Sequence, residues 1–389
     1  MTQIPSIDET HLLEETVGAL GRRFGLDYWL ERDATHTFPE ELWAALAQGG
    51  WLGSTIPEQF GGSSIGVAQA VRIIEEVAAG GGGSTVGQLL MGAMLPAASL
   101  LRHGTEEQQA EMLPPIARGE SFFGIALTEP DAGSNALATA TRAEKVEGGY
   151  VLSGQKVYIT AVERADQLQV LARTTPADVS GSRSRGLSLF VLDPKSDGVA
   201  HAPMDKLGTH TMSTSMLFLD RVFVPESRVI GEVDEGWRVI LDALNVERLV
   251  TAAAALGTGE LAIGMAVDYA GSRVVFGRPI GSNQAVAFPL AHDKALLACS
   301  RALLDVAARR YDAGEPSAAE GNMAKLIATE AGFSACDHAL QTFGGAGYMD
   351  EQHIGRLWRD ARLWKIAPVT QEMVLSFVAQ NVLGLPRSY

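Results

Sequence analysis

The sequence predicts an α+β fold in three parts. These are an N-terminal helical domain over residues 1–120, a central β domain with barrel-like strand spacing over 121–235, and a C-terminal four-helix bundle over 236–389. Three observations carry this expectation. Apolar residues recur at helical spacing in the first part, as at Val67, Ala70, Val71, Ile74, Val77 and Ala78. Between Ser121 and Pro225 the period changes to that of strands separated by regular turn signals. From Trp237 onward the helical period returns. A chain of 389 residues with 46% hydrophobic content is long enough to build several cores.

In the first part, Gly49-Gly50-Trp51 and Ile56-Pro57-Glu58-Gln59-Phe60-Gly61-Gly62 mark turns between helices. Gly80–Gly83 is a local helix break. Thr105 followed by Gln108 has the form of a capping box opening another helix. In the second part, Lys145-Val146-Glu147, Gly148-Gly149 and Tyr150-Val151-Leu152 form a hairpin pattern. Leu168–Ala172, Leu187–Leu192 and Met216–Val224 are further strands, and Arg173–Arg185 is a solvated polar loop. In the third part, Leu249–Val267 is apolar but interrupted by Gly257, Gly259 and Glu260, which suits a buried helix better than a membrane span. Leu290–Arg310 is apolar over much of its circumference, as expected of a bundle interior or a subunit contact.

A net charge of −15 argues against nucleic acid as a main partner. Cys299 and Cys336 lie far apart with no metal-ligand spacing and read as reduced thiols, and the acidic stretch Met1–Glu15 has no signal-peptide core. The expectation is a cytoplasmic protein without a membrane partner or a metal.

The most informative segment is Ala126-Leu127-Thr128-Glu129-Pro130-Asp131-Ala132-Gly133-Ser134-Asn135. Its small residues allow backbone N–H groups at Ala132 and Gly133 to approach a ligand, and Thr128 and Ser134 add hydroxyl donors. Twenty residues on stands Gly154-Gln155-Lys156-Val157-Tyr158-Ile159-Thr160. Together these two motifs resemble the flavin-binding region of the acyl-CoA dehydrogenase family. The segments 56–62, 273–284 and 341–348 follow the same family's order, so the resemblance covers essentially the whole chain.

The resemblance implies an acyl-CoA dehydrogenase-like fold, FAD as cofactor, and a homotetramer or homodimer. The backbone at Ala126 and Leu127, together with Thr128, would meet the isoalloxazine. Gly133 and Ser134 would face the pyrophosphate side, with Ser134 also near substrate. Tyr158 would stack near the ring, flanked by Ile159, and Thr160 would bond the reactive nitrogen. Arg273, Phe276 and Gln284, with Gln341, Phe343, Gly344 and Gly345, would grip the adenosine diphosphate half of FAD bound by a neighbouring subunit. Thr370 is a further flavin contact. The family more often has tryptophan at Tyr158, aspartate at Asn135 and glutamine at Glu372.

The implied reaction is removal of a proton beside a thioester carbonyl while hydride passes to flavin, giving a trans-2-enoyl thioester. That requires a desolvated carboxylate. In most of the family the glutamate follows an Arg-Asp-Ala run, here Arg359-Asp360-Ala361, and in register it falls on Pro368, which has no carboxyl and no N–H. A minority, including the isovaleryl-CoA and long-chain enzymes, carries the glutamate before an arginine in the first long C-terminal helix. Asn245-Val246-Glu247-Arg248 stands at that place, which makes Glu247 the candidate base and Asn245 and Arg248 candidate substrate contacts. A structural pairing of Glu247 with Arg248 or Arg273 is the alternative. The acyl chain is expected near Ser84–Leu95, where Gln88 and Met91 would touch it and Gly87, Gly92 and Met94 either leave room for a bulky chain or simply pack the core.

Electrons would leave through an electron-transfer flavoprotein or similar acceptor. Three alternatives remain open. A carrier-protein thioester would replace CoA if a local basic patch existed, and none is evident. A monooxygenase on the same fold would exchange its reduced flavin, whereas Arg273 and Gln341–Gly345 favour tightly held FAD. An inactive flavin-binding homologue is favoured by Pro368 and opposed by Glu247.

Overall fold

The N-terminal apolar stripes fold into six helices, α1 (Ile7–Arg23), α2 (Leu26–Thr35), α3 (Glu40–Gln48), α4 (Val67–Val77), α5 (Thr85–His103) and α6 (Glu106–Ala117). A computed structural model describes residues 7–387, so the first six residues of the acidic N-terminal stretch lie outside it. In α4 the periodic set Val67, Ala70, Val71, Ile74 and Val77 is buried, as its spacing predicts. The Gly80–Gly83 break is a wide turn after α4 in which Gly81 leaves helical geometry at φ 147°. The expected capping box opens α6: the Thr105 side chain accepts from Gln108 N, and the Gln108 side chain accepts from Thr105 N.

The central part holds β1 (Phe123–Ala126), β2 (Arg142–Val146), β3 (Gly149–Thr160), β4 (Gln167–Arg173), a one-turn helix α7 (Ala177–Ser180), β5 (Leu187–Leu192), β6 (Val199–Pro203), β7 (Thr214–Pro225) and β8 (Val229–Ile230). The strand order is β6-β7-β3-β2-β4-β5-β8, and β1 lies parallel beside β4. The β2–β3 hairpin forms where expected, with Val146 paired to Gly149. Three strands were not anticipated: β1, β6 and β8. Each has five residues or fewer, too short a stretch to show an alternation of its own.

The C-terminal part is built on α8 (Gly236–Ser272), α9 (Gln284–Asp312) and α10 (Ala318–Phe343), with shorter α11 (Ile354–Leu363) and α12 (Gln371–Asn381). A small hairpin, β9 (Val274–Val275) with β10 (Arg278–Pro279), joins α8 to α9. By length and composition α8 could cross a membrane, yet 72% of its apolar window is buried inside the fold, as expected for a core helix. It packs on α4, α5, α9 and α10. Glycines make that crowding possible: a methyl at Gly257 would lie 2.3 Å from the Glu75 carbonyl oxygen, and one at Gly332 would lie 2.5 Å from that of Ala255. Helix α9 differs from expectation. Within one chain it buries a single stripe, including Leu290, Leu297, Leu304, Ala307 and Ala308, while Phe288 and Val306 stay exposed, because α9 lies on the outside of the bundle.

Polar contacts tie the three parts together. Asp312 at the end of α9 accepts hydrogen bonds from Val67 N (2.8 Å) and Ala68 N (2.9 Å), capping α4 from 244 and 245 residues away in sequence. Arg356, almost wholly buried on α11, donates to the Gly81 and Gly82 carbonyls. Asp33 on α2 accepts from Arg359 (2.7 Å) and pairs with His210, while Asp360 accepts from Thr209 N. The Asp312 cap yields a direct expectation. Asp312→Ala should lower unfolding stability by about 0.5–2 kcal/mol in denaturant titration, whereas Asp312→Asn, which keeps one acceptor oxygen, should lose less.

Candidate active site

The loop after β1 is held to β3 by a buried ion pair. Lys156 is fully buried, and its Nζ donates to Glu129 Oε1 (2.8 Å) and to the Leu127 carbonyl (2.9 Å). Glu129 also accepts from Ala140 N (2.7 Å) and Thr141 N (3.0 Å). Burial alone would raise the Glu129 carboxyl, but the Lys156 ammonium and these hydrogen bonds outweigh it and hold it low. Burial pushes Lys156 down to about 8 against the pull of Glu129. A backbone bond from Val157 N to the Thr128 carbonyl (2.9 Å) completes the seam. Leu127 and Thr128 are thereby brought beside Lys156 and Val157, just before Tyr158, Ile159 and Thr160, and Gly133 lies by Thr128.

The two small residues of the loop behave differently. Gly133 is exposed, with no atom closer than 4.0 Å to where a Cβ would stand. Ala132 is instead turned inward, its N–H spent on the Glu129 carbonyl, so it is not a ligand donor as expected. Among the described residues, the hydroxyls of Thr128, Ser134 and Thr160 have no protein partner, which leaves donors free on one side of the seam. Ala126 and Ile159 are buried and offer backbone only. The pairing of β3 with β7 shifts register between Lys156 and Ile159, and Tyr158 there has a left-handed φ of 62°. Its ring is 65% exposed, a flat apolar surface beside the free hydroxyls.

Glu247 lies near the start of α8. No ion pair or hydrogen bond joins it to any described residue, and its Oε2 is buried without a partner. Arg248 instead donates to the Leu244 carbonyl (2.8 Å) and Asn245 Oδ1 (3.1 Å), so the alternative reading, a structural pairing with Glu247, does not form. Arg273 stands at the far end of the same helix, about 39 Å away at 1.5 Å per residue. Desolvation raises the Glu247 carboxyl to about 7, despite the opposing fields of Arg248 and Lys325. Lys325 on α10 is fully buried and donates to the Val369 carbonyl (2.7 Å), which fixes the Pro368–Thr370 segment beside this cluster. Thr370 caps α12 by accepting from Met373 N (3.3 Å), and its own hydroxyl donates to the Glu372 carboxylate.

The remaining candidates gather at the other end of the bundle. Arg273, Phe276 and Gln284 lie on and after the β9–β10 hairpin, which packs on α8. Phe276 is wholly exposed. Gln341, Gly344 and Gly345 are exposed at the end of α10. Phe343 departs from expectation: its ring is buried and stacked on Tyr269 at 4.3 Å, so it joins α10 to α8 and leaves only backbone for a ligand. On α5, Gln88 is buried and Met91 partly buried. The idea that glycines there leave room fails, because a methyl at Gly87 would lie 2.8 Å from Ala254 Cβ and one at Gly92 would lie 2.3 Å from the Phe122 ring. Sequence reasoning missed Lys156, Glu129, Lys325, Thr251 and Trp364. Lys156 had a signal, since counting by twos from Tyr150 and Leu152 places it on the inner face.

The seam can be tested without any ligand. Lys156→Met leaves Glu129 as a buried unpaired charge and should cost about 3–5 kcal/mol in unfolding experiments. The double variant with Glu129→Gln should recover a large part of that loss, and strict additivity of the two single effects would show that the pair is not coupled.

The chain matches the acyl-CoA dehydrogenase N-terminal domain over residues 7–120, the middle domain over 124–222 and the C-terminal domain over 234–383. It is 35% identical over 387 residues to the acyl-CoA dehydrogenase FadE12 of Mycobacterium tuberculosis, covering 98% of each chain. It is also 35% identical over 346 residues to the mitochondrial isovaleryl-CoA dehydrogenase of Solanum tuberosum, covering 88% of this chain and 82% of the other. The structure of butyryl-CoA dehydrogenase from Megasphaera elsdenii superposes with a TM-score of 0.92 at 30% identity, over 98% of this chain and 100% of that one. Three domain matches in order, whole-length relatives and a shared fold place this chain in the acyl-CoA dehydrogenase family, as a flavin-dependent oxidoreductase.

Proposed function

We propose that the protein catalyses FAD-dependent α,β-dehydrogenation of an acyl-CoA thioester, with Glu247 as the base. The observation that carries this is the buried, unpartnered Glu247 carboxylate, poised near 7 by desolvation. Thr128, Ser134 and Thr160 supply free hydroxyl donors for a flavin, Gly133 an open backbone approach, and Tyr158 an exposed ring face. Thr370, at the start of α12, is a further flavin contact. Arg273, Phe276, Gln284, Gln341, Gly344 and Gly345 would hold the adenosine diphosphate half from a second copy of the chain, since α8 separates them from Glu247 within one chain. Bound FAD supplies the acceptor for the hydride that leaves the β-carbon. Glu247 takes the proton from the α-carbon, and Asn245 and Arg248 position the thioester around it. Pro368 contributes no N–H to the thioester carbonyl, so that polarisation falls to other donors. Assembly as a homotetramer or homodimer and reoxidation by an electron-transfer flavoprotein complete the proposal.

Anaerobic titration of the yellow protein with acyl-CoA thioesters should bleach the flavin. Glu247→Gln should slow bleaching by roughly 10²–10⁴-fold while flavin stays bound; reduction at the wild-type rate would remove Glu247 from the role. Only the carboxylate form accepts a proton, so the bleaching rate should climb with pH through about 7 and then level off. The same shift has a stability consequence. Because the folded value lies above the ordinary 4.5, ionisation of Glu247 lowers stability as pH rises from 4.5 to about 7. Glu247→Gln should therefore melt higher than the parent at pH 8 and show no such gain at pH 4.

A further inference from the structure

Helices α5 and α8 run antiparallel. Ser84 Oγ meets Thr258 Oγ1 at 3.2 Å, a methyl on Gly87 would meet Ala254, and Met94 shares a cavity with Val246. One strip of α8 carries Glu247, Thr251, Ala254 and Thr258 at i, i+4, i+7 and i+11, and the facing strip of α5 carries Ser84, Gly87, Gln88 and Met91. The Trp364 ring closes over Gly87, with Cζ2 3.3 Å from where its Cβ would stand. Gln88, Thr251 and Trp364 are 9%, 0% and 2% exposed, and Gln88 Oε1, Thr251 Oγ1 and Trp364 Nε1 are all buried without a hydrogen-bond partner. Native interiors rarely leave one such group unpaired, and here three from three elements lie where α5, α8 and Trp364 meet, with Thr251 one helical turn, roughly 6 Å of rise, along α8 from Glu247.

We infer that these unpaired groups at the α5–α8 seam meet an acyl group bearing an uncharged oxygen function, a hydroxyl or carbonyl, a few bonds beyond the carbons at which Glu247 acts. The inference rests on the proposed dehydrogenation and narrows its substrate class. Donor and acceptor groups are both present, which suits a hydroxyl or carbonyl oxygen. A carboxylate is disfavoured, because Glu247 itself is acidic and the neighbouring Arg248 directs its Nη1 to the Leu244 carbonyl and Asn245. A plain alkyl chain would leave three buried polar groups unpaired, and sites built to bond a polar group discriminate strongly against analogues that lack it.

The test compares hexanoyl-CoA, 5-oxohexanoyl-CoA, 5-hydroxyhexanoyl-CoA and glutaryl-CoA on the holoenzyme, with Kd from calorimetry and anaerobic flavin bleaching read separately. At least one of the two uncharged oxygenated thioesters should bind ten-fold or more tighter than hexanoyl-CoA. Thr251→Val and, independently, Gln88→Leu should shrink that ratio to below three-fold. Equal binding of hexanoyl-CoA, tighter binding of glutaryl-CoA, or a ratio unmoved in both variants overturns the inference. If all the thioesters bleach the flavin but bind alike, only the substrate class falls. If none bleaches it, the dehydrogenation proposal falls, and this inference with it.

Discussion

Helix α8 is surrounded on nearly every side, and the architecture depends on satisfying that constraint. Its 37 residues include a run of alanines and two glycines that let α4 and α10 come within backbone contact. Burial on so many faces leaves little water for a side chain in the first third of the helix, and Glu247 Oε2 is shut off from it. The raised Glu247 carboxyl is thus a direct product of how the helix is packed. The length of α8 also separates functions. Glu247 lies near one end and the Arg273 hairpin at the other, so a single rigid element sets the distance between the candidate base and the candidate nucleotide grip.

Several buried charges elsewhere among the described residues are matched. Lys156 meets Glu129 at the loop–strand seam, and Arg356 faces Asp360 where α11 meets the N-terminal helices. Glu75 takes Arg72 and Arg301 between α4 and α9. Such pairs hold elements in one register, because removing either partner strands the other in a low-dielectric interior. Glu247 stands apart from this pattern. A carboxylate with one oxygen buried and no hydrogen bond destabilises the fold, and groups of that kind concentrate at sites of chemistry.

Much of the fold was legible in advance because its helices and long strands repeat their period often enough to be read. The α4 stripe, the Thr105–Gln108 box and the β2–β3 hairpin are local patterns, and each forms where its residues predict. The candidate site was legible to the extent that it rests on short contiguous motifs: the loop after β1, the end of β3 and Asn245–Arg248. Contacts that span the chain were not. Nothing near Lys325 announces that it reaches the Val369 carbonyl, and nothing near Asp312 announces that it caps α4. The glycines of α5 could be read two ways for the same reason, since whether a missing side chain makes space or admits a neighbour depends on the neighbour.

The sequence by itself determined the order of helical and strand regions, which follows from local periodicity. Its resemblance to the family nominated the loop and strand proposed to meet a flavin and the carboxylate proposed as base. The tertiary structure decided what each group would face. Strand alternation from Tyr150 and Leu152 would bury Tyr158 along with Lys156, yet a register shift against β7 turns the tyrosine outward while the lysine stays in. Packing likewise left Glu247 unpaired, although an arginine is its next neighbour in the chain. Orientation and desolvation are set by the elements packed around a residue, and those come from distant parts of the chain.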